Sequence, residues 1–248
     1  MGSIEFEVAD HIALITMNRP RQRNAIDLPM RLDLIKCFNR IRHDPDIRVA
    51  VLTGTGSSFS AGHDLKETKT AEEAANDPNT PGLMACFRSV GKPVIAAING
   101  TCVAQGAGLA LLSDIRIGTA ETTFGWPQVK FGMPSNSGPT LLARMMPWNV
   151  AMEYLMTGDF IDAEHALKFN LINRIVPQEN LMKEAMDLAG RIAALPPGGI
   201  QAIKQCAVAT INLDVSLAFD LAVQLFASAL HHPDVEAGLT AFAERTTK

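Results

Sequence analysis

The sequence predicts an α/β protein whose parallel strands are joined by helical crossovers and followed by an all-helical tail. Three observations predict it. Two short β-branched runs, residues 48–53 (RVAVLT) and 93–99 (PVIAAIN), alternate with segments of helical spacing. A strand–helix–strand order requires a crossover, and hence parallel pairing. From residue 140 onward the pattern is helical only, and Pro196-Pro197-Gly198-Gly199 then sets off a final helical stretch.

Taken in order, residues 4–8 and 11–17 alternate or run apolar on either side of Ala9-Asp10 and read as a hairpin. Asn18-Arg19-Pro20 stops the second strand. Over residues 29–42, Leu32, Ile35, Phe38 and Ile41 recur at helical spacing with Leu34 beside them, the mark of a half-buried helix. The strand at 48–53 follows, then a Gly/Ser loop at 54–62, a helix at 83–90 and the buried strand at 93–99, so the unit repeats. Residues 114–118 and 122–126 give two more short strands, and 134–139 a Ser/Asn/Gly/Pro loop. Helices are expected at 140–146, 150–157, 163–169 behind an Asp162 cap, and 180–195. Beyond the break come helices at 200–211, 215–230 and 233–245. In the middle one Leu217, Leu221, Leu225 and Ala229 make one stripe and Ala218, Ala222 and Phe226 another. A helix apolar on more than one face needs a second partner, here expected to be another subunit.

With 248 residues, 47% hydrophobic and 19% charged, the chain is long enough to bury about 75% of its unfolded surface. A core over residues 1–195 and a helical module over 196–248 are expected. The net charge of −4 is spread along the chain, so the concentrated basic face of a nucleic-acid binder is missing. Cys37, Cys86, Cys102 and Cys206 form no CxxC pair and sit in apolar segments, which predicts buried free thiols in a reducing compartment rather than disulfides or a zinc site. The acidic start MGSIEFEVAD is unlike a signal peptide, and no run reaches the ~18 apolar residues of a membrane span. A cytoplasmic protein without membrane partners is expected.

Two Gly-rich turns carry the chemistry. One, Phe59-Ser60-Ala61-Gly62-His63-Asp64-Leu65, follows the strand at 48–53, and the other, Gln105-Gly106-Ala107-Gly108-Leu109, follows the strand at 93–99. A single turn of this kind is ordinary turn geometry. Two of them after two parallel strands point to a ligand site, because ligands bind at the carboxyl ends of such strands and small residues let them approach backbone N–H groups. Leu111 stands where a dinucleotide fingerprint needs its third glycine, and GxxxxGK[ST], GxSxG and HExxH are absent. His63-Asp64 is a candidate acid/base pair, although neighbours in an extended loop rarely point the same way; His231-His232 reads as a solvated helix end.

The strings NRPRQRNAI (18–26), VLTGTGSSFSAGHDLKE (51–67), KPVIAAINGTCVAQGAGLALLSDI (92–115), TFGWPQVKFGMPSNSG (123–138), MTGDFIDAEHALKFNLINRIVP (156–177) and AGLTAFAER (237–245) together resemble the enoyl-CoA hydratase/isomerase, or crotonase, family over essentially the whole chain. The resemblance implies a spiral of repeated ββα units with a C-terminal helical trimerisation module, acyl-CoA thioester substrates, no cofactor beyond the coenzyme A of the substrate, and a homotrimer or dimer of trimers. It also implies that a thioester enolate is held by the backbone N–H groups of His63 and Gln105, an oxyanion hole aided by the dipole of the helix that starts near Gly106. Arg23, Ala25, Ala61, His63 and Leu65 would line the CoA path, and Phe242 and Arg245 would reach a neighbour's adenine or phosphate. Trp126 and Phe131, with Met84, Phe87 and Met133, fall in segments that surround the acyl tail in the family; core packing is the other role open to them.

The departures from the family are as informative. Hydratases of the family carry one Glu three residues beyond the second donor and another after the Pro of the FGxP segment, and isomerases place an acid in the following loop. The matching residues here are Gly108, Gln128 and Asn136, the last between Ser135 and Ser137. Neutral side chains cannot act as general base near pH 7. The expected activity is therefore enolate chemistry on an acyl-CoA with the reaction left open. Loss of carbon dioxide from a malonyl-type thioester, with Gln128, Asn136 and Ser135 around the carboxylate, is one alternative. Isomerisation or hydrolysis through His63 or Asp64 is another, and a non-catalytic acyl-CoA binder a third.

Overall fold

In the computed structural model, which describes residues 2–66 and 79–246 with the side chains of 79–81, 237 and 241–246 set aside, the strand runs pair as their spacing predicts. Strand β1 (Ile4–Ala9) is antiparallel to β2 (Ile12–Met17). The turn is one residue later than the sequence suggested: Asp10 and His11 both take positive φ, 50° and 66°, the geometry of a two-residue type I′ hairpin. Helix α1 (Leu28–His43) is capped by Asp27, whose carboxylate accepts from the Met30 N–H at 2.9 Å. It buries Met30, Leu34, Cys37, Phe38 and Ile41 as it crosses to β3 (Val49–Gly54). Each such side chain contributes ~1.5–3 kcal/mol on burial.

Each later turn of the spiral adds a long strand to one sheet, a short strand to a second sheet, and in two cases a helix. The loop expected at 54–62 contains β4 (Ser58–Ser60), followed by α2 (Asn79–Arg88). Next come β5 (Val94–Ile98), β6 (Thr101–Val103) and α3 (Gln105–Leu112), then β7 (Ile115–Gly118) and β8 (Thr123–Gly125). A 3-10 turn (Pro127–Phe131) and a π-helical turn (Gly138–Leu142) lead to α4 (Trp148–Thr157), β9 (Phe160–Ile161), α5 (Ala163–Lys168), β10 (Arg174–Ile175) and α6 (Leu181–Ala193). The first sheet has the order β1-β2-β3-β5-β7-β10, parallel except for β1, and the second β4-β6-β8-β9, parallel except for β9.

Both faces of the central strands β3 and β5 are covered, which explains their continuous apolar runs. Ala50, Leu52 and Ala96 pack with Leu34, Phe38 and Phe87 on one side, while Val49, Val51, Ile95, Ala97 and Ile117 meet Leu181, Ala185 and Ala189 of α6 on the other. The tail is α7 (Pro197–Thr210), α8 (Val215–Ala229) and α9 (Pro233–Thr246). Lys204 of α7 donates to the Asp114 carboxylate at 2.7 Å and to the Lys92 carbonyl at 2.8 Å. None of the described helices is long and apolar enough to cross a membrane.

All four cysteines are free, but only Cys37 and Cys102 are buried; Cys86 and Cys206 are partly exposed, which corrects the expectation of four buried thiols. Burial pushes the Cys37 thiol up to about 11 and the Cys102 thiol higher than its ordinary value of 9.0. A native thiol titration near pH 8 is expected to label Cys86 and Cys206 and spare the other two. Because the folded Cys37 value is raised, its contribution to stability is full below pH 9.0 and is lost as the pH rises towards about 11. A flat urea midpoint across that window would contradict this.

Candidate functional site

The two Gly-rich turns lie side by side because β4 and β6 are parallel neighbours, with Ser58 opposite Thr101 and Ser60 opposite Cys102. One turn leaves the end of β4 at Ala61 and the other leaves β6 at Ala104. Asn99 fixes the approach: its side chain donates to Gly56 O at 2.7 Å and accepts from Gly54 N at 3.3 Å.

A third segment braces the first turn. Arg23 and Asn24 are left-handed, φ 51° and 55°, and the buried Asn24 amide donates to Ser58 O at 2.7 Å and Thr55 O at 3.0 Å. Ser60 Oγ donates to Asn24 O at 2.8 Å and accepts from Gly62 N at 3.1 Å. Ala61 N donates to Arg23 O, Ile26 N to Gly62 O and Asp64 N to Ile26 O, at 2.8, 2.7 and 3.0 Å. The structure thus brings Arg23, Ala25, Ala61 and His63 onto one seam, with Leu65 exposed at its end.

His63 and Asp64 answer to different partners. Arg31, buried in α1, lies with Nη2 2.7 Å from His63 Nδ1. Arginine only donates, so Nδ1 accepts and the ring proton sits on Nε2. Asp64 instead pairs with Arg19 at 3.1 Å, which also reaches Asp27 at 3.1 Å and Ala25 O at 2.6 Å. The pair is not a dyad.

Glycines let the turns touch. Gly62 has φ +83°, and a Cβ there would lie 2.6 Å from Val103 O and 3.1 Å from the Gln105 amide nitrogen. On Gly106 a Cβ would lie 2.6 Å from Ser60 O. Ala104, between β6 and α3, has φ 49° and ψ −110°, a conformation costing a non-glycine residue ~1–3 kcal/mol. Gln105 begins α3, one residue earlier than expected, so its N–H belongs to the unpaired first turn.

At the three positions where the resemblance would put acids, Gly108, Gln128 and Asn136, no carboxylate stands. Gly108 lies inside α3, not in a tight turn, and a Cβ there would meet Met84 Cε at 2.5 Å and Ser137 Cβ at 3.0 Å. Gln128 stands on the 3-10 turn, and Asn136 is exposed just before the π turn. The Oε1 atoms of Gln105 and Gln128 are buried with no hydrogen-bond partner. Ser135 Oγ is used locally, accepting from Gly138 N at 3.3 Å. The buried Trp126 donates from Nε1 to Ser137 Oγ at 3.0 Å. Phe131 is 72% exposed, whereas Phe87 stacks edge-on against Phe38 at 4.7 Å, a core role. Phe242 and Arg245 fall on α9 outside the described side chains. Sequence reasoning missed Arg31, Asn24 and Ser60, polar residues whose burial only the tertiary structure reveals. Among the described residues no cluster of His, Cys, Asp and Glu suits a metal ion.

Two parallel sheets wound as a ββα spiral, with paired turns opening at strand ends and a helical tail, define a crotonase-type fold. The chain belongs to the enoyl-CoA hydratase/isomerase family, whose sequence pattern it matches over residues 7–248, and is an enzyme of that family. It is 36% identical over 246 residues to the (E)-benzylidenesuccinyl-CoA hydratase of Thauera aromatica, covering 98% of this chain and 96% of the relative. It is 36% identical to the carnitinyl-CoA dehydratase of Citrobacter koseri, with the same coverages. The crystal structure of an enoyl-CoA hydratase from Bacillus anthracis superposes with a TM-score of 0.92 at 30% identity, covering 98% of this chain and 96% of that one.

Proposed function

We propose that this enzyme acts on acyl-CoA thioesters by stabilising a thioester enolate between the N–H groups of His63 and Gln105, without a carboxylate at the usual positions. The approach of Gly62 to the Gln105 amide carries this reading, since it sets the two turns against each other. Hydrogen-bond donors aimed at a developing oxyanion contribute ~3–4 kcal/mol each. The positive end of α3 adds to them. Arg23, Ala25, Ala61 and Leu65 mark the CoA path, and no cofactor beyond the substrate's own coenzyme A is required.

Hydration or dehydration is favoured by the names of the two relatives, one a hydratase and one a dehydratase. The neutral residues Gly108, Gln128 and Asn136 favour a second reading, decarboxylation of a malonyl-type thioester, in which departure of carbon dioxide creates the enolate and no base is needed. Crotonyl-, 3-enoyl- and malonyl-CoA, each followed by mass spectrometry, separate the two. Turnover of none of them would overturn the assignment to enolate chemistry.

The tail beyond Pro196 is proposed as the module through which trimers, or dimers of trimers, form. Support comes from its uncovered apolar side chains: Ile211 is 78% exposed, Val215 and Phe219 are each 70%, and Phe226 is 65%. Large apolar side chains left exposed on one helix, as Val215, Phe219 and Phe226 are on α8, support an association site there. Light scattering is expected to show an oligomer, and the 26.7 kDa of one chain would contradict it. The four free thiols fit a reducing, cytoplasmic setting.

A further inference from the structure

We propose that Ser137 is a positioning residue that fixes the Ala104–Gln105 peptide, and with it the direction in which the Gln105 N–H points. This rests on the enolate reading above and goes beyond it, because the Ser137 side chain does not belong to the hole itself. Its hydroxyl has one hydrogen. The Trp126 indole N–H donates to Ser137 Oγ at 3.0 Å, which leaves that hydrogen for the Ala104 carbonyl, also at 3.0 Å. The same carbonyl accepts from Gly108 N at 2.9 Å, the first bond of α3. Ser137 and Trp126 are both buried, so water does not compete for these bonds.

The hold matters because Ala104 is strained as it stands, with φ 49° and ψ −110°. A full half-turn of the peptide is closed, since it would carry Gln105, helical as the first residue of α3, to a φ of about +120°. Smaller rotations about Ala104 φ and ψ are open, and each one swings the Ala104 carbonyl and the Gln105 N–H together. With Ser137 in place such a tilt works against two hydrogen bonds; without it, one. Gly108, which carries no side chain, leaves room for the Ser137 side chain beside α3.

The test uses acetoacetyl-CoA, whose enolate has its own ultraviolet band, so that the ratio of enolate to keto form in the bound ligand reads the donor pair without turnover. Wild type is expected to favour the bound enolate; if it does not, the oxyanion reading fails and not merely the role of Ser137. Ser137→Ala is expected to cut that preference by about ten- to hundred-fold, less than the loss of a whole donor, with free CoA binding within about twofold. Adding Ala104→Gly, which makes the observed φ and ψ permissible, is expected to restore most of the preference. General loosening of the fold would not be cured by a glycine. An unchanged ratio in Ser137→Ala, or a loss that Ala104→Gly leaves in place, overturns the proposal. Should Ser137→Ala fail to fold in a thermal melt, Trp126→Phe decides. It frees the hydroxyl to turn from Ala104, and is expected to lose preference in a way that Ala104→Gly recovers; no loss overturns the proposal.

Discussion

Replacing Gly62 with alanine is expected to lower kcat/KM on any acyl-CoA the enzyme turns over by about 10²- to 10³-fold, the loss seen when an oxyanion donor is removed. Two causes add. A φ of +83° is unfavourable for an L side chain, and the new Cβ would press on Val103 O at 2.6 Å and the Gln105 nitrogen at 3.1 Å. Relief requires the β4 and β6 turns to part, which moves the His63 and Gln105 N–H groups out of register. Gly106→Ala acts on the same contact from the other side, through Ser60 O at 2.6 Å. Steady-state kinetics beside a thermal melt checks this. Undiminished turnover in a folded Gly62→Ala protein would show that the two turns do not work as a pair.

The second large effect concerns the missing acids. Wild type is expected to hydrate crotonyl-CoA well below ~10 s⁻¹, because neither Gly108 nor Gln128 can take a proton from the attacking water. General acid–base groups contribute about 10²- to 10⁴-fold each. Installing them by Gly108→Glu and Gln128→Glu should therefore raise hydration. Room, not backbone conformation, is the obstacle: Gly108 is helical, and Met84 Cε stands 2.5 Å and Ser137 Cβ 3.0 Å from where its Cβ would be. Adding Met84→Ala clears the nearer contact and should raise the gain, while the Ser137 contact limits it; each single carboxylate should give less than the pair, since water attack and α-protonation act together. Hydration by wild type at ordinary enzymatic rates would place the proton transfer on another group.

Much of the fold was legible in the sequence because its central strands β3 and β5 are apolar on both faces and α1 and α6 carry one apolar face each. The runs at 48–53 and 93–99 became β3 and β5, and the break at Pro196 precedes α7 directly. The second sheet was harder to see. Strands β4 and β6 have three residues each and β9 only two, too short to show a period of two, and β4 lay hidden in a Gly/Ser loop. Glycines at 62 and 106 were visible as motif, but the reason for them, contact across two turns distant in sequence, was not. Ser137 looked like one of several loop residues. Its worth comes from Ala104 and Trp126, brought to it by the fold, and no local pattern records that.

The most direct measurement is a crystal structure of the wild-type enzyme with acetoacetyl-CoA bound. The thioester oxygen is expected within about 2.7–3.1 Å of both the His63 and the Gln105 backbone nitrogens. A ligand whose thioester oxygen lies away from either nitrogen would contradict the oxyanion hole, and with it the enolate chemistry proposed for this enzyme.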